Sequence, residues 1–308
     1  MDSTLASAQA RARLQQAFKR SLPVAPGTEQ HLAGAIRETL RHRGSMVRAE
    51  LAYRVAHSFA QPEERAESLA IAIEYFHTAS LLFDDLPSMD NATERRGAPC
   101  IHQRYGEGAA ILAALALINR AYALVWQAVA GLPTEVQQTA LSYLERNLGL
   151  AGLLNGQSQD LHYAALPGSL RIPHQIALGK TVSLIRIPLV LPAILGGASR
   201  REIRHLEFLA LFWGLGYQTV DDLKDVLFPG GETGKTGARD AQLNRPNQAL
   251  YYGIPGAFER ARRLMCLGGK VISGLTRRRE SLAFLLESHR RFESEMAGLS
   301  EACPAPSL

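Results

Sequence analysis

Cysteine, aromatic residues and strand-like alternation are all scarce in this chain, and each shortage removes a class of protein. The three cysteines, Cys100, Cys266 and Cys303, are odd in number and far apart, which argues against a disulfide framework or a zinc site and fits a reducing compartment. Aromatics make up only 7% of the 308 residues, β-branched runs are short, and no apolar–polar alternation persists, so a sheet protein is not expected. Charge of one sign is not in large excess either. The 34 basic and 29 acidic residues leave +5, too mild for a nucleic-acid binder, and Arg277-Arg278-Arg279 reads as a solvated helix face. The N-terminus carries no apolar signal segment, and the longest apolar runs, 109–118 and 187–195, fall short of a membrane span. The expectation is a cytoplasmic protein without a transmembrane segment or a nucleic-acid partner, which a greasy substrate could still bring to a membrane surface.

What is present favours helix. Hydrophobic residues reach 46%, ample for a core, and they are dominated by alanine and leucine. The fold is read as all-α, a single domain over 1–308 with neither repeat nor linker. Residues 1–20 form an N-terminal helix, 21–27 a turn and 28–42 a second helix; a basic turn, Arg41 to Arg48, opens the third. The fourth starts after Pro62, carries 66–85 and is stopped by Pro87. Further helices are expected over 106–130, 133–163 (one or two), 173–195, 206–228, 238–250, 256–274 and 277–296, with a disordered tail from about 302. The loop 229–236 ends in Gly234-Lys235-Thr236, but the first glycine of a phosphate-binding loop would fall on Pro229 and no strand precedes it, so that motif is rejected.

The chain is organised around Asp84-Asp85-Leu86-Pro87-Ser88-Met89-Asp90, followed by Arg95-Arg96-Gly97. Carboxylates crowded beside a core repel and are penalised by desolvation, so a cation is expected among them, and a hard divalent ion is the simplest one. The three acids converge only if the loop after Pro87 folds back. A second cluster, Asp221-Asp222-Leu223-Lys224-Asp225, ends another apolar run and is expected to face the first. Gln218, Asp221, Asp222 and Asp225 fall on one helix face, and Gly214 one turn earlier is expected to leave that face open for a ligand. His77 lies at i, i+7 with Asp84, about 10 Å below it on the same helix, where the bland alternative is a satisfied core histidine. Gln157 and Asp160 share a face, or merely mark a capped helix break. Lys180, next to Thr181, is an isolated cation in an apolar helix and wants an anion or a snorkelling route to water. The turn 41–48 pairs arginines with helix N–H groups, which suits an anion or, as readily, solvent.

Two aspartate clusters can hold several Mg²⁺ ions with positions open for a diphosphate, and Arg95, Lys180 and Lys235 would complete a cradle for a highly charged anion. The apolar helix faces beneath suit a hydrocarbon. A diphosphate on a greasy chain, ionised at its C–O bond in a dry cavity, is the natural substrate class.

These motifs resemble the all-trans polyprenyl diphosphate synthases, close to the geranylgeranyl and farnesyl type. The match runs from about residue 35 to 250 and includes both aspartate motifs, Arg95-Arg96-Gly97, Gly156-Gln157 with Asp160, Lys180-Thr181, Tyr217-Gln218 and Gly234-Lys235-Thr236. The resemblance implies a single large helical bundle with a central apolar cavity, and a homodimer. It implies a prenyltransferase that joins an allylic diphosphate to isopentenyl diphosphate, with three Mg²⁺ ions held among Asp84, Asp85, Asp90, Asp221, Asp222 and Asp225, not every acid being a direct ligand. Arg95, Lys180, Thr181, Lys235 and Gln218 match the family's allylic diphosphate site. Arg48, His77 and Arg96 match its isopentenyl diphosphate site. Ala79 and Ser80 match the floor of its chain-length cavity, and their small size favours a C20 product.

The chain departs from the family in two places. Arg43-Gly44-Ser45-Met46 replaces a Gly-Gly-Lys-Arg run, so the expected lysine is Ser45; one lost charge-assisted contact weakens binding by roughly 1.5–3 kcal/mol. Arg245-Pro246-Asn247 replaces a Lys-x-Thr pattern. Three rivals follow: a terpene cyclase on the same scaffold that no longer takes isopentenyl diphosphate, a non-catalytic partner subunit, and a di-iron bundle. The last is suggested by Glu74-Tyr75-Phe76-His77 and Glu202-Ile203-Arg204-His205 but leaves the aspartates unexplained.

Overall fold

The computed structural model describes residues 3–41, 44–166, 171–228 and 245–302. The sequence-read positions Lys235, its neighbours Gly234 and Thr236, most of the expected helix over 238–250, and the tail from 303 lie outside them. The described residues are almost wholly helical, and they gather into two compact units, one of 3–140 with 191–197 and the other of 141–190, 198–228 and 245–302.

The first unit is built on α4 (Glu63–Asp84), which packs along α5 (Ile101–Val129). Alanines at 110, 113, 114, 121 and 128 of α5 are buried, and so small a stripe lets the two backbones run close. α3 (Val47–Ser58) and α1 (Ser3–Arg20) cover other faces of α4, while α2 (Gln30–Arg41) lies on α5. Tyr75 anchors α1: it is fully buried, its ring lies 4.7 Å from Phe18, and its hydroxyl donates to the Phe18 carbonyl at 2.7 Å. Burying side chains of this size contributes about 1.5–3 kcal/mol each.

A two-stranded hairpin, β1 (Glu94–Arg95) and β2 (Ala98–Pro99), interrupts the all-α reading. Arg96 and Gly97 form its turn with φ of 57° and 72°, the left-handed pair that a two-residue hairpin requires. The sequence did carry this signal, because a glycine follows the arginine pair.

In the second unit α10 (Arg200–Leu227) runs along α11 (Gln248–Thr276), and α12 (Phe284–Ala302) packs on α11. α7 (Leu153–Leu161), α8 (Arg171–Ala177) and a π-helical turn at Leu178–Val182 pack together. Glycine decides how closely. A Cβ at Gly156 would fall 2.4 Å from the Lys180 backbone nitrogen, and one at Gly214 would fall 2.7 Å from Val182 Cγ2. Gly214 therefore admits the π turn against α10 instead of leaving a ligand-sized opening, which corrects the sequence reading. α6 (Thr134–Leu148) and α9 (Ser183–Leu195) complete the described helices.

Two helical stretches, Ile101–Val129 and Arg171–Leu195, are long and apolar enough to cross a membrane by length and composition. The sequence-read runs looked too short because the helices extend past them. In Arg171–Leu195, 61% of the apolar window is buried, against 39% in α5. α5 accordingly leaves Ile111, Leu112, Leu115, Tyr122 and Trp126 exposed along one face.

Candidate active site

The first aspartate motif sits where α4 ends. The loop does fold back: the Asp90 N–H donates to the Asp84 carbonyl at 2.9 Å and the Ala92 N–H to the Asp85 carbonyl at 3.1 Å. Asn91 adopts a left-handed φ of 48° to make the return. Asp84 and Asp90 remain half-buried, but Asp85 is 4% exposed and its carboxylate is taken. Arg95 Nε reaches both Asp85 oxygens at 2.7 and 2.9 Å, and Nη2 a third contact at 2.5 Å. Burial alone would lower the Arg95 guanidinium; the Asp85 bonds and charge, with help from Asp84, overcome that and raise it. Asp85 thus acts as the buttress of Arg95. A cavity of about 50 Å³ opens beside this pair, lined in part by Thr78, Leu81 and Leu82.

Behind this motif, α3 and α4 bring Arg48 and His77 together, and Arg48 Nη1 donates to His77 Nε2 at 3.0 Å. Since arginine only donates, His77 accepts through Nε2. Arg96 turns its guanidinium onto Gly44, where a Cβ would meet Nη2 at 2.4 Å. Arg96 is lowered by burial and then by Arg95, with Glu74 opposing and Arg48 adding to the loss. A guanidinium so crowded by like charge suits an anion. Ser45 is exposed, and Met46 starts α3 in a left-handed conformation, φ 53°. Of the chain-length positions, Ala79 is fully buried and Ser80 half-buried with its hydroxyl on the His77 carbonyl at 2.8 Å.

The second motif lies on the last turns of α10. Asp221 and Asp225 are half-buried, whereas Asp222 is 2% exposed and held by two neutral donors. Gln218 Nε2 reaches Asp222 Oδ1 at 2.8 Å, and the Gln248 N–H reaches Oδ2 at 2.8 Å. Gln218 in turn accepts from the Thr181 hydroxyl at 2.5 Å, so these two residues spend much of their polar capacity on one another. Lys180, on the π turn, is not an isolated cation: its Nζ lies 2.7 Å from Asp160 Oδ2. The altered Arg245-Pro246-Asn247 stretch also has a job. Arg245 donates to the Asp160 carbonyl at 2.8 Å, and Asn247 caps α11 through the Leu250 N–H while donating to the Asp222 carbonyl at 3.1 Å. Sequence reasoning missed Asn247 and Gln248 as supports; an Asn immediately before a helical run was the available signal.

Among the described residues no group of three or more His, Cys, Asp or Glu side chains gathers closely enough to hold a metal alone. The donor set still fits Mg²⁺. Each motif offers two half-buried carboxylates, and Mg²⁺ typically takes one or two carboxylates, keeping its other positions for water and substrate oxygens. Iron does not fit: Glu202 belongs to a capping box with Ser199 and pairs with Arg279 at 2.9 Å, and His205 bonds the Arg201 carbonyl.

Against known families, the model described as Polyprenyl synthetase matches residues 29–270, a span containing both aspartate motifs. The chain belongs to the polyprenyl synthetase family. Geranylgeranyl pyrophosphate synthase 9, chloroplastic, of Arabidopsis thaliana is 37% identical over 234 residues, 75% of this chain. The chain spans 65% of that relative's length. Geranylfarnesyl diphosphate synthase, chloroplastic, of Leucosceptrum canum is 33% identical over 81% of this chain and 69% of its own. Among solved structures, a geranyltransferase from Helicobacter pylori complexed with magnesium and isoprenyl diphosphate superposes with a TM-score of 0.82, covering 94% of this chain and 97% of its own at 24% identity. That likeness shows the isoprenoid synthase fold.

Proposed function

We propose that this chain is a trans-prenyltransferase that joins an allylic diphosphate to isopentenyl diphosphate and releases a longer prenyl diphosphate, of twenty carbons. One observation carries the reading: each aspartate motif has its second carboxylate buried and bonded internally, and its first and last half-exposed. This is the division of labour expected where two half-open acids hold ions and a third fixes the frame. Family membership and the 37% identical geranylgeranyl pyrophosphate synthase support the reaction class and the C20 product.

In this reading Asp84, Asp90, Asp221 and Asp225 hold Mg²⁺, three ions by resemblance to the family, and Asp85 and Asp222 act as buttresses. The bound ions would supply positive charge that stabilises the departing diphosphate. By resemblance to the family, Arg95, Lys180 and Lys235 are the positions that bind the allylic diphosphate; within its own unit Lys180 is paired with Asp160, and Gln218 with Thr181. Arg48, His77 and Arg96 hold isopentenyl diphosphate. The apolar walls keep water from the electron-poor carbon until the isopentenyl double bond attacks it.

The two units work as one domain, supported by a single family match that runs through both. The exposed face of α5 packs against the same face of a second copy: five large apolar residues in one stripe suit a self-complementary interface.

Incubation of the purified protein with Mg²⁺ and geranyl or farnesyl diphosphate, with and without isopentenyl diphosphate, tests the proposal. Elongated diphosphates formed only with the acceptor are the expected result. Hydrocarbon or alcohol formed at a catalytic rate without it would support the cyclase reading, which Ser45 favours.

A further inference from the structure

Among the described residues, Glu74 is a strongly buried carboxylate beside the acceptor positions that the proposed function leaves without a role. It lies one turn before His77 on α4, is 3% exposed, and its Oε2 has no hydrogen-bond partner among the described residues. Its environment is the start of α3. That helix begins on Met46, whose side chain supplies no cap to the first N–H groups. Glu74 reaches across from α4 and accepts from the Ala49 N–H instead. Ala49 follows Arg48 directly, so the bond fixes the turn from which Arg48 projects to His77. On the other side stands Arg96, drawn toward Glu74's charge and repelled by Arg48 and Arg95.

Two arginines that repel one another need a counter-charge between them, and a helix start without a cap frays. Glu74 answers both needs. Burial pushes its carboxyl up, against Arg48, the Ala49 N–H and Arg96, so the group is kept in an unfavourable place by its neighbours. Two non-glycine residues in left-handed conformations, Met46 and Arg96, flank it, as backbone strain tends to do at working sites. With Ser45 in the place of a lysine, Arg48 and Arg96 are the only described cations of the acceptor set, and their placement matters more.

We propose that Glu74 is a positioning residue for the acceptor: it caps α3 from outside and holds Arg48 and Arg96 at the separation that a diphosphate spans. The inference rests on the assignment of Arg48, His77 and Arg96 to isopentenyl diphosphate. Glu74→Gln keeps the shape and a weaker acceptor for Ala49 while removing the charge. Its KM for isopentenyl diphosphate should rise about tenfold, with kcat and the KM for the allylic diphosphate changed less than twofold, and Glu74→Asp should recover part of the loss.

A second variant leaves Glu74 untouched. Gly44→Ala puts a methyl where the Arg96 guanidinium lies, and since that is the far end of a flexible side chain it moves aside at little cost to the fold. The same KM split is expected, and its effect should shrink in the Glu74→Gln background because both act through Arg96. Binding of isopentenyl diphosphate by calorimetry, without allylic substrate, should follow the same order. If the wild-type protein elongates and Glu74→Gln leaves the acceptor KM unchanged or lowers it, the Glu74 role is wrong and the proposed function survives. If Glu74→Gln does not fold, an unchanged acceptor KM in Gly44→Ala overturns the role on its own. If the wild-type protein neither binds nor uses isopentenyl diphosphate, both fall together.

Discussion

The two helices that carry the aspartates, α4 and α10, are supported by different means. α4 opens on Pro62 with no side-chain cap, while α10 opens on a capping box in which Ser199 and Glu202 satisfy each other's orphan groups. At the motif ends the contrast reverses. Asp85 is bound to a guanidinium from a strained hairpin, a charged and nearly buried pair. Asp222 is bound to a side-chain amide and a backbone N–H, both neutral. The first motif therefore gains rigidity from an ion pair that also aims Arg95, and the second from helix packing at glycine contacts that brings Gln218 to Thr181. Equal sequence patterns do not imply equal supports.

The comparison can be broken most forcefully at the half-exposed acids. Replacing Asp84 or Asp221 with alanine should each lower turnover by about 10³-fold while leaving the melting temperature nearly unchanged. Steady-state rates on the two variants decide whether the motifs contribute alike, and a loss below tenfold in either would make that motif dispensable.

A smaller effect separates the buttresses. Asp85→Asn strands a mostly buried guanidinium and should cost about 3 kcal/mol of stability, whereas Asp222→Asn gives up one charged hydrogen bond and should cost about half of that. Urea denaturation measures both, and equal losses would erase the distinction between ionic and neutral support.

The smallest expected effect lies at the helix starts. Ser199→Ala should cost about 1 kcal/mol. Burial alone would raise the Glu202 carboxyl, but the Ser199 hydroxyl, the Ser199 N–H and Arg279 together hold it below the ordinary carboxylate range. A carboxyl lowered in the folded state stabilises fully above its unfolded pKa and loses that contribution as pH falls through the lowered value. Part of the Ser199→Ala deficit should therefore disappear on acidification below about pH 4, as melts of both proteins across that range would reveal.

The helices were legible because their signals are local. Pro62, Pro87 and the alanine-rich runs mark α4 and α5 within one to five residues of their observed bounds. The aspartate clusters were legible for the same reason, since charge against an apolar run is a one-dimensional pattern. For Lys180 the sequence left an anion and a snorkelling route open; the anion is Asp160, which was not foreseen because the two meet across 20 positions through a π turn that no periodicity announces. Glu74 was read only as half of a metal spacing, since its meaning depends on the start of another helix.

The amino-acid order by itself determined most of the helical segments and which carboxylates and cations occur at their ends; hydrophobic period, proline and local charge act over a turn or two. Tertiary structure alone decided which acids are half-exposed and which are buried, that Gly214 closes on Val182, and that Arg96 rests on Gly44. Those outcomes turn on distances between segments far apart in the chain, where a hydrogen bond forms or fails within an ångström.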